Sequence, residues 1–290
     1  MKRVLTAVVL IPIVLLIVFR GPGWLLGAVL GLVALLAQLE YLDIAESFAK
    51  PFRLTTLAFT IVLFAYTLVP DLYWYPGIPW PHPTLLVAIA PFIFLALGMS
   101  RQDLREGFLS AAVSYLALPY IALSLWSLIE LAGSRRIFVF FVLVVVWIGD
   151  TCAYYVGRSM GKHLMAPRIS PKKTWEGAVA SVIGSVVAGV LVIQYAPEIT
   201  DFLRRASLLA DADLRSIQPH MVQAGVIAAI VNVAAQIGDL VESLIKRGAD
   251  IKDSGRLLPG HGGILDRIDA LLFAAPVATI LFTITYKRFF

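Results

Sequence analysis

The stretch Ser243-Leu-Ile-Lys-Arg-Gly-Ala-Asp-Ile-Lys-Asp-Ser-Gly-Arg-Leu-Leu-Pro-Gly-His-Gly-Gly-Ile-Leu-Asp-Arg-Ile-Asp269 stands between two apolar runs, about 221–241 and 264–286. Each run is near the roughly 20 residues that an α-helix needs to cross a bilayer. The stretch therefore reads as the polar return of a membrane helical hairpin. Its charged side chains and glycines crowd a membrane boundary. They are costly there unless a multivalent charged ligand binds. A metal ion and phosphates meet that description.

Working outward from this hairpin, hydropathy sets the fold class. The chain has 290 residues, of which 59% are hydrophobic and 15% charged, and its mean hydropathy is +0.85. A soluble domain of this length could not hide so much apolar surface, so the chain reads as an all-α polytopic membrane protein. Apolar runs predict about nine transmembrane helices, near 4–19, 24–42, 54–70, 84–99, 108–131, 136–156, 177–195, 221–241 and 264–286. The first run superficially resembles a signal peptide. It lacks a small-residue cleavage site and is kept as a helix. Gly21-Pro22-Gly23 predicts a tight turn after it. The aromatic, proline-rich segment Tyr73–Pro83 suits an interfacial loop.

The net charge of +5 and pI near 9.3 do not imply a nucleic-acid partner. Basic residues of membrane proteins gather in cytoplasmic loops and near anionic headgroups. Most of the 24 Lys and Arg fall at the N-terminus and in the loops after the second, fourth, sixth and eighth runs. The positive-inside rule places these in the cytoplasm. The two motif-bearing loops, about 147–177 and 236–270, then face one compartment. Residues 1–132 are expected to be N-terminal membrane helices without a motif, and 133–290 the catalytic region. The single cysteine, Cys152, excludes an intrachain disulfide and a cysteine-based zinc site. No internal repeat is evident, which weakens an inverted-repeat transporter as the alternative. Charges crowding one side, rather than lining a path to both faces, weaken it further.

Asp150 lies near the end of an apolar run, and Asp239 lies within one. An intramembrane carboxylate costs about 2.5–3.5 kcal/mol on insertion scales and is functional by default. Gln236, Asp239, Ser243 and Lys246 (or Arg247) recur at helical spacing and can share a face. Asp266 and Asp269, at i and i+3, lie on one side of the next helix, flanking Arg267. An antiparallel helix pair could bring Asp239 and Asp266 together as a hard oxygen site suited to Mg²⁺. Lys246, Arg247, Lys252, Arg256 and Arg267 surround that acidic pair, as phosphate chemistry requires. His261 could donate to a phosphate, and Gly260, Gly262 and Gly263 let backbone approach a ligand. Upstream, Ser170-Pro-Lys-Lys-Thr174 offers Lys172, Lys173 and two hydroxyls at a helix start, a natural phosphate seat. Plainer readings stand beside these. Lysines at span ends mark topology, Gly157 and Gly161 serve helix packing, and His163 is solvated. Glu40 and Asp43, ending the second run, are expected to be solvated.

These residues together resemble a family. Ser243-x-x-Lys246-Arg247, Lys252-Asp253, Pro259-x-His261-Gly262-Gly263 and Asp266-Arg267-x-Asp269 look like the signature of phosphatidate cytidylyltransferases, also called CDP-diacylglycerol synthases, of the bacterial type. Gly149-Asp150, Ala153-Tyr154, Gly157-Arg158, Gly161-Lys162 and Ser170-Pro171-x-Lys173-Thr174-x-Glu176-Gly177 are also similar. The first 130 residues resemble the family only in hydropathy. The resemblance implies reaction of CTP with phosphatidic acid to give CDP-diacylglycerol and pyrophosphate. It implies Mg²⁺ held by Asp239 and Asp266, and associates a second, potassium-like monovalent cation with that site. Lys246, Arg247 and Arg267 would neutralise substrate charge, with Asp269 and Asp253 orienting these cations. Asp150, Arg158, Lys162, Ser170, Lys172, Lys173, Thr174, Ser243, Lys252, His261, Gly262 and Gly263 would bind substrate. It further implies a homodimer in the cytoplasmic membrane, with membrane lipid around it and the site facing the cytosol. A CDP-alcohol phosphotransferase is disfavoured, because its Asp-Gly-x-x-Ala-Arg pattern is absent.

Overall fold

The computed structural model describes residues 2–68, 83–209, 220–255 and 262–286. Six of its helices are long and apolar enough to cross a membrane: Gly23–Ala45, Leu104–Ser134, Arg136–Met160, Trp175–Gln194, Met221–Gly248 and Leu265–Thr285. Three shorter apolar helical stretches, Leu10–Arg20, Arg53–Leu68 and Thr84–Gly98, occupy the other expected runs among the described residues. The protein is thus a multi-pass helical membrane protein. Among the described residues six helices reach spanning length. The aromatic loop expected at Tyr73–Pro83 lies almost wholly outside the described residues.

The helices are α1 (Lys2–Arg20), α2 (Gly23–Ala45), α3 (Arg53–Ala65), α4 (Pro83–Gly98), α5 (Leu104–Ala117), α6 (Ser124–Ser134), α7 (Arg136–Met160), α8 (Trp175–Gln194), α9 (Ala196–Arg205), α10 (Met221–Gly248) and α11 (Leu265–Tyr286). A two-stranded antiparallel hairpin, β1 (Leu164–Ala166) and β2 (Ser170–Thr174), joins α7 to α8. Between α5 and α6 the chain continues as a π-helical turn, Leu118–Leu123. Pro119 explains it, since proline has no N–H to give the regular ladder. The Ser124 hydroxyl donates to the Pro119 carbonyl at 3.1 Å.

The chain forms two compact units. One comprises 1–22, 130–244 and 269–290; the other comprises 23–129 and 245–268. In lipid, helices associate through close packing and interhelical hydrogen bonds rather than hydrophobic burial. The first unit uses both. Phe282 of α11 stacks on Phe138 of α7 with centroids 4.1 Å apart, and meets Phe141 edge-on. Asn232 of α10, buried, donates to Ser181 and Ser185 of α8 at 2.9 and 2.8 Å. Ser185 in turn donates to the Val145 carbonyl of α7 at 2.7 Å. Gly149 makes room for this three-helix network. A Cβ there would lie 2.3 Å from Asn232 Nδ2.

The second unit packs Val87, Ala90 and Phe94 of α4 against Ala111 and Leu118. Buried Gln38 of α2 satisfies both ends of its amide. It donates to the Ala117 carbonyl at 3.1 Å and accepts from Thr60 at 2.7 Å. A glycine pair, Gly98 and Gly107, lets α4 and α5 touch backbone to backbone where they diverge.

Candidate active site

In the first unit, the end of α7, the hairpin and the start of α8 form a polar tip. Thr174 is the N-cap of α8 and accepts from the Gly177 N–H at 3.2 Å. That bond satisfies one of the free donors of the first turn. Glu176, in the first turn, reaches back to the segment before β1. It accepts from the backbone N–H groups of Lys162 and His163 at 3.2 and 3.3 Å, and meets His163 Nδ1 at 2.6 Å. The hairpin is thereby pinned to the helix it precedes. Gly157, Gly161 and Gly177 take the packing role. A Cβ on Gly161 would lie 2.7 Å from Thr174 Cγ2, and one on Gly177 2.8 Å from the Ala153 carbonyl.

With the hairpin so held, Lys173 of β2 forms an ion pair with Asp239 of α10 at 2.6 Å. Asp150 of α7 interacts electrostatically with both. Two carboxylates from different helices thus share the field of one ammonium. Neither Lys173 nor Asp239 is fully buried. Lys162, Arg168 and Lys172 are exposed along the same tip, and Ser170 opens β2 half-buried. Arg158 donates to the Tyr154 hydroxyl at 2.9 Å.

The second unit carries the return loop. Lys246 of α10 pairs with Asp266 of α11 at 2.5 Å, and both are nearly buried, 12% and 10% exposed. The Lys246 ammonium meets Oδ1. The other oxygen, Oδ2, accepts from the Ser254 N–H at 3.0 Å, the Ser254 hydroxyl at 3.0 Å and the Gly263 N–H at 2.8 Å. One carboxylate oxygen is anchored by protein while the other holds a cation. Gly262 makes this geometry possible. Its φ is +80°, and a Cβ would stand 2.5 Å from Asp266 Oδ2. Arg247 donates to the Ile251 carbonyl at 3.0 Å as the chain leaves α10. Lys252, Asp253 and Arg267 are exposed, and Ser243 is half-buried in α10. Asp269 accepts from the Ala270 N–H at 2.7 Å. His261, Arg256, Pro259 and Gly260 lie outside the described residues.

One expectation is corrected. Glu40 is not a solvated helix end: it is 8% exposed. It accepts from the Ser254 hydroxyl and from the Ile264 and Leu265 N–H groups, all at 2.9 Å. Asp43, by contrast, is exposed as expected and pairs with Arg53 at 2.6 Å. The one sequence signal for Glu40 was an acidic residue inside an apolar run.

The cytidylyltransferase family is matched along residues 1–285, nearly the whole chain. The protein belongs to the cytidylyltransferase family. Individual relatives agree. The phosphatidate cytidylyltransferase of Staphylococcus saprophyticus is 37% identical over 196 residues, 68% of this chain and 67% of the relative. Those of Staphylococcus haemolyticus and Staphylococcus aureus are 32% and 29% identical over 96% of this chain and 97% of theirs. The resemblance carried by the two motif loops is therefore borne out. It extends to the first 130 residues, where hydropathy alone had offered no motif. In this cytidylyltransferase the two conspicuous carboxylates, Asp239 and Asp266, each carry a lysine ammonium.

Proposed function

We propose that this protein transfers the cytidylyl group of CTP to phosphatidic acid, giving CDP-diacylglycerol and pyrophosphate. The observation that carries the reading is the pair of carboxylate–ammonium contacts, Lys173–Asp239 and Lys246–Asp266. The first joins the two motif stretches and the second lies within the later one, both beside exposed basic residues. The names of the relatives that align along the chain support the same chemistry.

In the reaction a phosphate oxygen of phosphatidate attacks the α-phosphorus of CTP. The bond from that phosphorus to the bridging oxygen breaks, and pyrophosphate leaves. The attacking phosphate is already anionic, so no strong general base is needed. Repulsion between two anions is the main obstacle, and cationic side chains and alignment reduce it. Lys173, Lys172, Lys246, Arg247 and Arg267 neutralise phosphate charge in this scheme. Asp253 and Asp269 orient those cations. The acyl chains remain in the bilayer.

Asp239 and Asp266 suit Mg²⁺ as hard oxygen ligands, since each already holds a cationic group and Asp266 Oδ2 is fixed by backbone donors. Once bound, the ion would supply positive charge to the triphosphate. The proposed setting is the cytoplasmic membrane, with the N-terminus and both motif loops in the cytosol and a second copy of the chain as partner.

The decisive test is purified protein with labelled CTP and phosphatidic acid. A lipid-soluble cytidine product that depends on Mg²⁺ is expected. Failure to form it in lipid-supplemented micelles rejects the reading. Lys173→Ala is expected to raise the apparent KM for CTP by about 10-fold, the value of one charge-assisted contact. An unchanged CTP dependence with an altered lipid dependence would reassign Lys173 to phosphatidate.

A further inference from the structure

The N-terminal helices carry no family signature, yet one of their residues touches the signature loop directly. Glu40 of α2 places Oε2 2.9 Å from both the Ser254 hydroxyl and the Leu265 N–H, and Oε1 2.9 Å from the Ile264 N–H. Leu265 is the first residue of α11. A carboxylate there takes up free N–H groups and meets the positive end of the helix dipole. Ser254 also faces Asp266 Oδ2, at 3.0 Å. One serine therefore bridges Glu40 to the carboxylate that holds Lys246, its single hydroxyl proton shared between the two.

The glycines around this bridge are fitted to Glu40. A Cβ on Gly255 would lie 2.6 Å from Glu40 Oε1. A Cβ on Gly263 would lie 2.2 Å from both Glu40 Oε2 and Ser254 Oγ. The loop approaches a buried carboxylate more closely than any side chain allows. Such closeness fixes both the start of α11 and the orientation of Asp266 one residue later.

We propose that Glu40 is a positioning residue for Asp266, acting through Ser254 and the start of α11 so that Asp266 Oδ1 is presented to a cation. The proposal rests on the reading of Asp266 as a cation ligand. Groups behind a metal ligand typically change metal affinity by about 10–100-fold when removed. Glutamine at position 40 would turn one acceptor oxygen into a donor facing other donors. Alanine at position 254 removes only the bridging hydroxyl.

The test is a Mn²⁺ titration followed by electron paramagnetic resonance on the purified full chain, with CTP present and phosphatidic acid absent. Glu40→Gln is expected to weaken Mn²⁺ binding by about 10-fold or more, and Ser254→Ala by a smaller factor. The Mg²⁺ concentration for half-maximal turnover should rise in parallel. Asp266→Asn serves as the reference. If it keeps wild-type Mn²⁺ affinity, the cation-site reading itself falls. If it loses affinity while Glu40→Gln and Ser254→Ala stay within about twofold of wild type, the Glu40 proposal alone is overturned. Should Glu40→Gln fail to purify as a monodisperse protein, Ser254→Ala decides by the same criterion.

Discussion

Asp266→Asn is expected to lower turnover by about 10²–10³-fold, the scale set by losing one preorganised charge at a reacting phosphate. The variant should still insert and elute as the parent protein does. The side chains are isosteric, so the loop faces a choice of rotamer. Two backbone N–H groups, of Ser254 and Gly263, point at Oδ2. The asparagine carbonyl oxygen stays with those donors, because turning the NH₂ toward them would set donor against donor. The NH₂ then faces the Lys246 ammonium and can hold no cation. Breaking a fully buried ion pair costs about 3–5 kcal/mol. Lys246 retains some exposure, so water recovers part of that loss and the melting temperature falls only modestly. Turnover of labelled CTP into lipid measures the effect. Full activity in a well-folded variant would discard the cation assignment.

The helices were legible because apolar runs are long and local. The run from Val139 to Trp147 announces a buried helix without any tertiary information. Span length was less legible. Among the described residues, Arg53–Leu68 and Thr84–Gly98 are apolar enough to be read as spans but shorter than spanning length. The hairpin Leu164–Thr174 had no strand signature. Ser-Pro-Lys-Lys-Thr shows no alternation of apolar and polar residues. What holds it is tertiary: the Trp175 N–H donates to the His163 carbonyl at 2.9 Å, and Glu176 clamps the far side.

The site was legible in its residue types and not in its connections. Asp239 stood out as a charge in an apolar run, and Asp266, Lys173 and Lys246 as members of the two polar motif stretches. Which lysine serves which carboxylate was not encoded locally, since 66 positions in the chain separate 173 from 239. Glu40 was misread for the same reason. Its partners Ser254 and Leu265 lie 214 and 225 positions away. A carboxylate near a helix end looks solvated until the loop that covers it is known.

Gly238→Ala is expected to damage this enzyme more than a single methyl group suggests. Gly238 precedes Asp239 on α10, where that helix crosses α11. A Cβ at 238 would stand 2.6 Å from the Asp269 carbonyl oxygen and 3.1 Å from Phe273 Cβ. The carbonyl is backbone and cannot swing aside as a flexible side chain would. To restore ordinary contact near 3.5 Å the helices must separate by about 1 Å at this level. Overpacking of this kind costs about 1–3 kcal/mol. The functional loss is larger, because Asp239 is the next residue and is tied to Lys173 at 2.6 Å. A displacement of about 1 Å at a reacting centre reduces rate by roughly 10²-fold. Turnover should therefore fall by that factor, with a lower melting temperature. Gly225→Ala on the same helix is the control. Its Cβ would meet Val190 at 3.5 Å and Val186 at 3.6 Å, which is ordinary packing, and alanine favours a helix interior over glycine by about 1 kcal/mol. That variant should keep its activity and melt no earlier than the parent. Equal behaviour of the two alanine variants would mean that the close crossing at Gly238 does not set the position of Asp239.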